Sequence, residues 1–169
     1  MKTIKTYPNI ILILINLIVL FFLISLIFFL FSAMLKIENG WYLIFPLALN
    51  AIILTIYYYQ LANHFTFISI DIDEIKIYQL LKFKIEKIRL KEFSGYSLSE
   101  VTFGKNLYSS KSLILYTKTN RAIEIIKLFN LNFNNVLKSL NEFGIVKLGK
   151  EPYQTGILLR KYKYFNKTI

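Results

Sequence analysis

Long unbroken apolar runs open this chain, and short alternating runs follow them. Between Lys5 and Lys36 no residue is charged, and between Glu38 and Asp71 the only residue that ionises near neutral pH is His64. A helix needs about 20 apolar residues to cross the hydrocarbon of a bilayer, so each run is long enough to span it. The pattern predicts helices over about residues 9–35 and 41–62, joined by the tip Lys36-Ile-Glu-Asn-Gly40. Trp41 and Tyr42 would then sit at one interface and Tyr57, Tyr58 and Tyr59, with Tyr7, at the other. Pro46 falls in the first turns of the second helix, where its missing N–H costs little.

From Phe65 the period shortens to two. Phe65–Ile70 and Ile75–Leu80 read as strands around the turn Asp71–Glu74. Leu81, Phe83 and Ile85 alternate with Lys82, Lys84 and Glu86, which predicts a half-buried strand. The phase slips at Lys87, after which Ile88 and Leu90 alternate with Arg89 and Lys91, so a bulge or tight turn is expected near Glu86–Lys87. Tyr96–Phe103 predicts a further strand, ending in a polar loop with Gly104, Asn106, Ser109 and Ser110. Ser112–Tyr116 and Ala122–Ile126 read as a hairpin. Phe133, Val136, Leu137, Leu140 and Phe143 have helical spacing, with Asn130 or Asn132 to cap the start and Gly144 to close the end. Ile145–Leu148 adds a short extension, and a basic, aromatic tail follows.

Composition agrees with this division. Hydrophobic residues make up 55% of the chain and mean hydropathy is +0.47, too apolar for an ordinary soluble protein. The first apolar run exceeds the 7–15 residues of a signal-peptide core, so it is expected to be an anchor and not a cleaved leader. Charge sets the expected orientation. The N-terminus carries Lys2 and Lys5, the tip carries Lys36 and Glu38, and the chain beyond the second run holds 18 basic and 9 acidic residues. Basic excess marks the cytoplasmic side, so both termini are expected there in a multi-pass protein.

Candidate chemistry is sparse. Cysteine is absent, which excludes disulfides, thiolate nucleophiles and Cys-based zinc sites. His64 is the sole histidine and lies where the second helix would leave the membrane, a place that suits an interfacial anchor better than a catalytic base. Asp71, Asp73 and Glu74 read as a solvated turn, without further ligands at a cation-binding spacing. No phosphate-binding or dinucleotide-binding glycine loop, metalloprotease or nucleophile-elbow pattern occurs. No enzyme, cofactor or metal site is expected. Inside the apolar runs, Ser25 and Asn50 fall at similar distance from the tip and are expected to make an interhelical contact of about 0.6–2 kcal/mol. Asn16 lies in the first run as well. The basic residues say more. Lys82, Lys84, Lys87, Arg89 and Lys91, with Arg160, Lys161, Lys163 and Lys167 in the tail, are the expected membrane-surface contacts. Near an anionic leaflet each such residue contributes about 1 kcal/mol.

The hairpin anchor, the strand opening at Asp73-Glu-Ile-Lys-Ile77, the Ile123-Glu-Ile125 strand and the Asn135–Leu140 helix give an order of elements that resembles small bacterial membrane proteins with a pleckstrin-homology-like (PH-like) domain. The resemblance covers Phe65 to about Leu148. Residues 1–63 are expected to form the membrane α-helical hairpin and residues 149–169 a tail, and the resemblance implies that residues 64–148 fold as a mainly-β domain, a bent barrel of six or seven strands closed by one amphipathic helix. It also implies a binding or scaffold module in a bacterial inner membrane, without catalytic residues. Its partners would be anionic lipid headgroups or a membrane or cytoplasmic protein, and no nucleic acid. Two helices followed by a small β barrel also resemble the membrane effectors of nucleotide-signalling anti-phage systems. An immunity protein against a membrane-acting toxin is a third reading.

Overall fold

The computed structural model describes residues 3–103, 108–151 and 162–164, and the chain divides into two compact units. Residues 10–61 form one unit. Residues 3–9 join the described residues from 62 onward to form the other.

The first unit is a helical hairpin. Helix α1 runs Ile10–Lys36 and helix α2 runs Ile44–His64, its last turn extending into the second unit. Between them Asn39 takes a left-handed conformation (φ 62°), and a 3-10 turn, Gly40–Leu43, leads into α2. Gly40 is required by close approach: a Cβ there would overlap the Met34 carbonyl. Pro46 occupies the first turn of α2. Both helices are long and apolar enough to cross a membrane. Only 6% of the most apolar window in α1 and 11% of that in α2 is buried, whereas a soluble core helix would be mostly covered.

The second unit is mainly β. Ile4–Lys5 (β1), Thr66–Ile70 (β3), Glu74–Gln79 (β4) and Lys84–Arg89 (β5) form an antiparallel sheet in the order β1-β3-β4-β5. Phe93–Phe103 (β6), Tyr108–Thr117 (β7), Ala122–Ile126 (β8) and Lys147–Lys150 (β10) form a second sheet, ordered β10-β6-β7-β8 with β10 parallel to β6. Tyr7–Pro8 (β2) pairs with Asn130–Leu131 (β9) as a small ribbon. Among the described residues the two sheets do not close into a barrel: the 3-10 turn Leu90–Glu92 carries the chain from β5 to β6 without pairing those strands, and each four-stranded sheet keeps two edges.

Side-chain alternation explains the core. Ile68, Ile70, Ile75, Ile77 and Ile88 from the first sheet meet Tyr96, Leu113, Leu115, Ile123 and Ile125 from the second. Helix α3, Phe133–Glu142, adds Phe133, Val136 and Leu140. The helix starts at Asn132, whose side chain bonds to neither of the first helical amides and donates to the Lys5 carbonyl instead. It ends as expected at Gly144 (φ 74°), where Gly144 N–H and Ile145 N–H donate back to Asn141 and Leu140 carbonyls, a Schellman closure.

Two strand expectations change. No bulge interrupts β4 and β5, whose register is continuous from Glu74↔Arg89 to Gln79↔Lys84. The slip in the apolar phase has another cause: Glu86 and Ile88 lie opposite and beside buried Ile77 and Ile75, so Ile85 points outward and is exposed. Ser109 and Ser110 belong to β7 and not to a loop, while Gly104 and Asn106 lie outside the described residues. The outer face of the second sheet is also covered. Ser97, Ser112, Ile114 and Tyr116 are all buried there. Ser97 donates to the Glu151 carboxylate at 3.2 Å, Ser99 to the Glu151 carbonyl, and Tyr162 and Tyr164 meet Tyr116 edge-on.

Candidate functional site

The basic residues of β5 are distributed along a six-residue strand and its two ends. Lys82 belongs to the 3-10 turn Leu80–Lys82 that joins β4 to β5, and Lys84 begins β5. Lys87 and Arg89 follow on the outer face, opposite Lys76 and Glu74, and Lys91 lies in the turn beyond. All five are exposed. At roughly 3.3 Å per residue the strand separates the first pair from Lys91 by about 20 Å. That is more than twice the screening length of about 8 Å at physiological salt. The cluster therefore acts as a tip pair, a strand-face pair and a distant lysine.

Two contacts fix the tip of the β4–β5 hairpin. Lys82 Nζ donates to Asn63 Oδ1 at 2.8 Å, and Leu80 N–H donates to the Phe65 carbonyl at 3.1 Å. Asn63 belongs to the last turn of α2. Phe83 closes the turn in the left-handed region (φ 49°), its N–H donating to the Leu80 carbonyl at 3.2 Å, and its side chain is 95% exposed. Alternation had placed Phe83 and Ile85 on a buried face, but both stand in the open. The available signal was the run Leu-Leu-Lys-Phe-Lys, where lysines flank an aromatic residue at a turn.

Farther along β5, Glu86 is held by charge. Arg121 Nη1, in the β7–β8 turn, hydrogen-bonds to Glu86 Oε1, and Lys84 Nζ lies 3.3 Å from Oε2. The Arg121 hydrogen bond, aided by its charge and by Lys84, keeps the Glu86 carboxyl below its ordinary pKa despite partial burial. The acidic turn is likewise balanced: Lys76 Nζ lies 3.3 Å from Glu74 and 3.9 Å from Asp71. Among the described residues no group of three carboxylate or imidazole side chains is placed to hold a metal ion. His64 stacks on Phe129 with centroids 5.9 Å apart. In the tail, Lys163 is exposed beside the Tyr164 ring, while Arg160, Lys161 and Lys167 lie outside the described residues.

Within the helical hairpin, Asn50 is buried and makes an interhelical contact, donating to the Leu23 carbonyl at 3.1 Å. Ser25, two residues on, is exposed. A second polar bridge had no sequence signature: Tyr57 OH donates to Asn16 Oδ1 at 2.8 Å, while Asn16 Nδ2 donates to the Leu12 carbonyl.

A cavity of about 650 Å³ opens in the β unit between β7, the turn after β8 and the start of α3. Asn9, Lys111, Lys127, Asn130, Asn132 and Asn135 contribute to its wall. Most of its amides already serve the fold. Asn9 donates to the Leu128 carbonyl, Asn135 bonds to Asn132, and Asn130 donates to the carbonyls of Thr66 and Ile126. The cavity is a polar recess braced by asparagines, with two exposed lysines at its rim.

Taken together these features define a pair of long apolar helices joined to a mainly-β domain with an exposed basic and apolar hairpin tip. No protein-family model, curated protein or solved structure matches the chain.

Proposed function

We propose that this protein is a membrane-anchored, non-enzymatic binding module whose β domain works at the cytoplasmic face of a bacterial inner membrane, on anionic headgroups and a protein partner. One observation carries the reading. Residues 4–5 pair with β3 and residues 7–8 with β9, so the segment before α1 and the segment after α2 belong to one folded unit. Two halves of one sheet occupy the same side of a bilayer, which fits an even number of crossings between them. The lysine excess on both halves favours the cytoplasm as that side. Strand order supports the PH-like reading: a first sheet ending in β3-β4-β5, three consecutive antiparallel strands β6-β7-β8, then an amphipathic helix. Phe133, Val136 and Leu140 fill the space between the sheets. That favours binding on an outer surface over a nucleotide held inside, as in the effector alternative.

Single-cysteine labelling of the full chain tests this directly. Glu38→Cys at the exposed tip should react with an impermeant thiol reagent in intact cells, and Lys118→Cys only after the membrane is opened. Glu38 is the better probe than Gly40, which cannot take a Cβ. In opened membranes Lys84→Cys should react more slowly than Lys118→Cys and recover as salt rises. The reverse sidedness overturns the topology, and equal, salt-independent rates overturn the headgroup contact.

A further inference from the structure

The largest unexplained feature outside the helices is the apolar tip of the β4–β5 hairpin. Phe83 is almost wholly exposed, and Leu80 and Ile85 beside it are exposed as well. A phenylalanine in the left-handed region is costly where glycine or asparagine would fit freely. Packing in the β domain does not account for it, since the side chain is almost wholly exposed. Strain at a solvent-exposed aromatic points to a contact made elsewhere.

Its surroundings identify the contact. Lys82 and Lys84 flank Phe83, and Lys82 is hydrogen-bonded to Asn63 in the last turn of α2. Leu80 is bonded to Phe65, the residue after α2 ends. The tip is therefore fastened to the point where the second apolar helix ends. An aromatic ring with aliphatic neighbours and bracketing lysines matches the membrane interface, with ring and methyl groups below the phosphates and ammonium groups among them. A soluble protein partner would have no reason to be tied to that point in the chain.

We infer that Phe83, with Leu80 and Ile85, inserts into the interfacial layer of the bilayer that α1 and α2 cross, so that the β domain is held to the lipid at a third point besides the two helices. The inference rests on the proposed membrane crossing, and it differs from the headgroup reading because burial of the ring does not need anionic lipid.

The test uses the full chain in lipid nanodiscs. Trp41, the sole tryptophan, is changed to Phe and Phe83→Trp is introduced; a second protein carries Lys118→Trp. Lys118 is a suitable control because its N–H donates to the Glu92 carbonyl, at the end of β5 away from the tip. Trp at 83 should emit at shorter wavelength than Trp at 118, and shallow brominated phospholipids should quench it several-fold more. Quenching in neutral and anionic discs alike supports insertion while removing the headgroup reading. Quenching confined to anionic discs supports the headgroup reading and overturns insertion that is independent of lipid charge. Solvent-like emission without quenching overturns insertion. Short-wavelength emission that bromine leaves unchanged also overturns it, since a second copy or a protein partner then covers the ring. Phe83→Asn, which suits the left-handed turn, should leave the melting temperature of the β unit unchanged or raised while lowering the quenching of a tryptophan at Ile85. Equal quenching with and without Phe83 overturns the role assigned to the ring.

Discussion

Asn130 is buried and joins two parts of the β unit through one amide. Its Nδ2 donates to the Thr66 carbonyl on β3 at 3.1 Å and to the Ile126 carbonyl at the end of β8 at 2.9 Å. Both bonds need N–H donors, so no isosteric acid replaces it. Asn130→Ala removes the bridge and leaves two acceptors without it, a loss of about 2 kcal/mol at about 1 per hydrogen bond. Asn130→Asp should cost more at neutral pH, because a carboxylate would face two carbonyl oxygens. Thermal or denaturant unfolding of the full chain in detergent checks both, with the order wild type, Ala, Asp in falling stability. An asparagine of this kind was visible in the sequence only as a possible helix cap. Its partners are carbonyls, which every residue carries, so nothing in the one-dimensional pattern marks them. The same holds for Asn50, whose depth in the hairpin was legible but whose partner is the backbone of Leu23 and not the side chain of Ser25.

Among the elements, the β4–β5 hairpin of one sheet and the β7–β8 hairpin of the other are linked by Glu86 and Arg121. Because the Arg121 hydrogen bond lowers the Glu86 pKa in the folded protein, the stabilisation is complete above the unfolded value and is lost as pH falls through the lower, folded one. Glu86 is about a quarter exposed and Arg121 more, so solvent limits the gain to less than about 1 kcal/mol. Wild type should thus be more stable than Glu86→Gln at pH 7, and the difference should shrink below the ordinary glutamate pKa of 4.5. Unfolding curves at pH 7 and in steps below pH 4.5 measure it, and parallel curves would remove the link. Elements with strong periodicity were readable in advance: both apolar helices, the β7–β8 hairpin and α3 with its glycine stop. β5 was misjudged because an exposed isoleucine and a half-buried glutamate exchanged the faces that composition assigns them. β1 and β2 are two residues each and follow no period long enough to detect.

For the whole molecule, residues 3–9 matter far more than their number implies. Thr6 exchanges two hydrogen bonds with Ile68, donating from its hydroxyl at 3.3 Å and accepting the Ile68 N–H at 2.9 Å. Thr6 N–H also donates to the Ile68 carbonyl, Asn9 N–H to the Phe129 carbonyl, and Ile4 packs on the core. A fragment beginning at Phe65 lacks all of this and exposes the edge of β3. It should melt lower than a version in which residues 3–9 are joined to residue 62 by a short flexible linker. Circular dichroism and limited proteolysis of the two proteins compare them, and identical melting would assign β1 and β2 no stabilising part.

The pairing of β1 with β3 also sets an order of events during synthesis. Ile4 must wait for Ile70, its partner across the sheet, while both apolar helices emerge between them. At about 5–20 residues per second the delay is several seconds, and β9 follows later still. During that interval the first nine residues have no strand to pair with, and once β3 is made its edge stays open until they return, the kind of edge that recruits stray strands. The earliest-made segment of the sheet thus pairs only after both helices have been made, and ribosome-bound chains stalled shortly after residue 70 should carry that segment still accessible to protease.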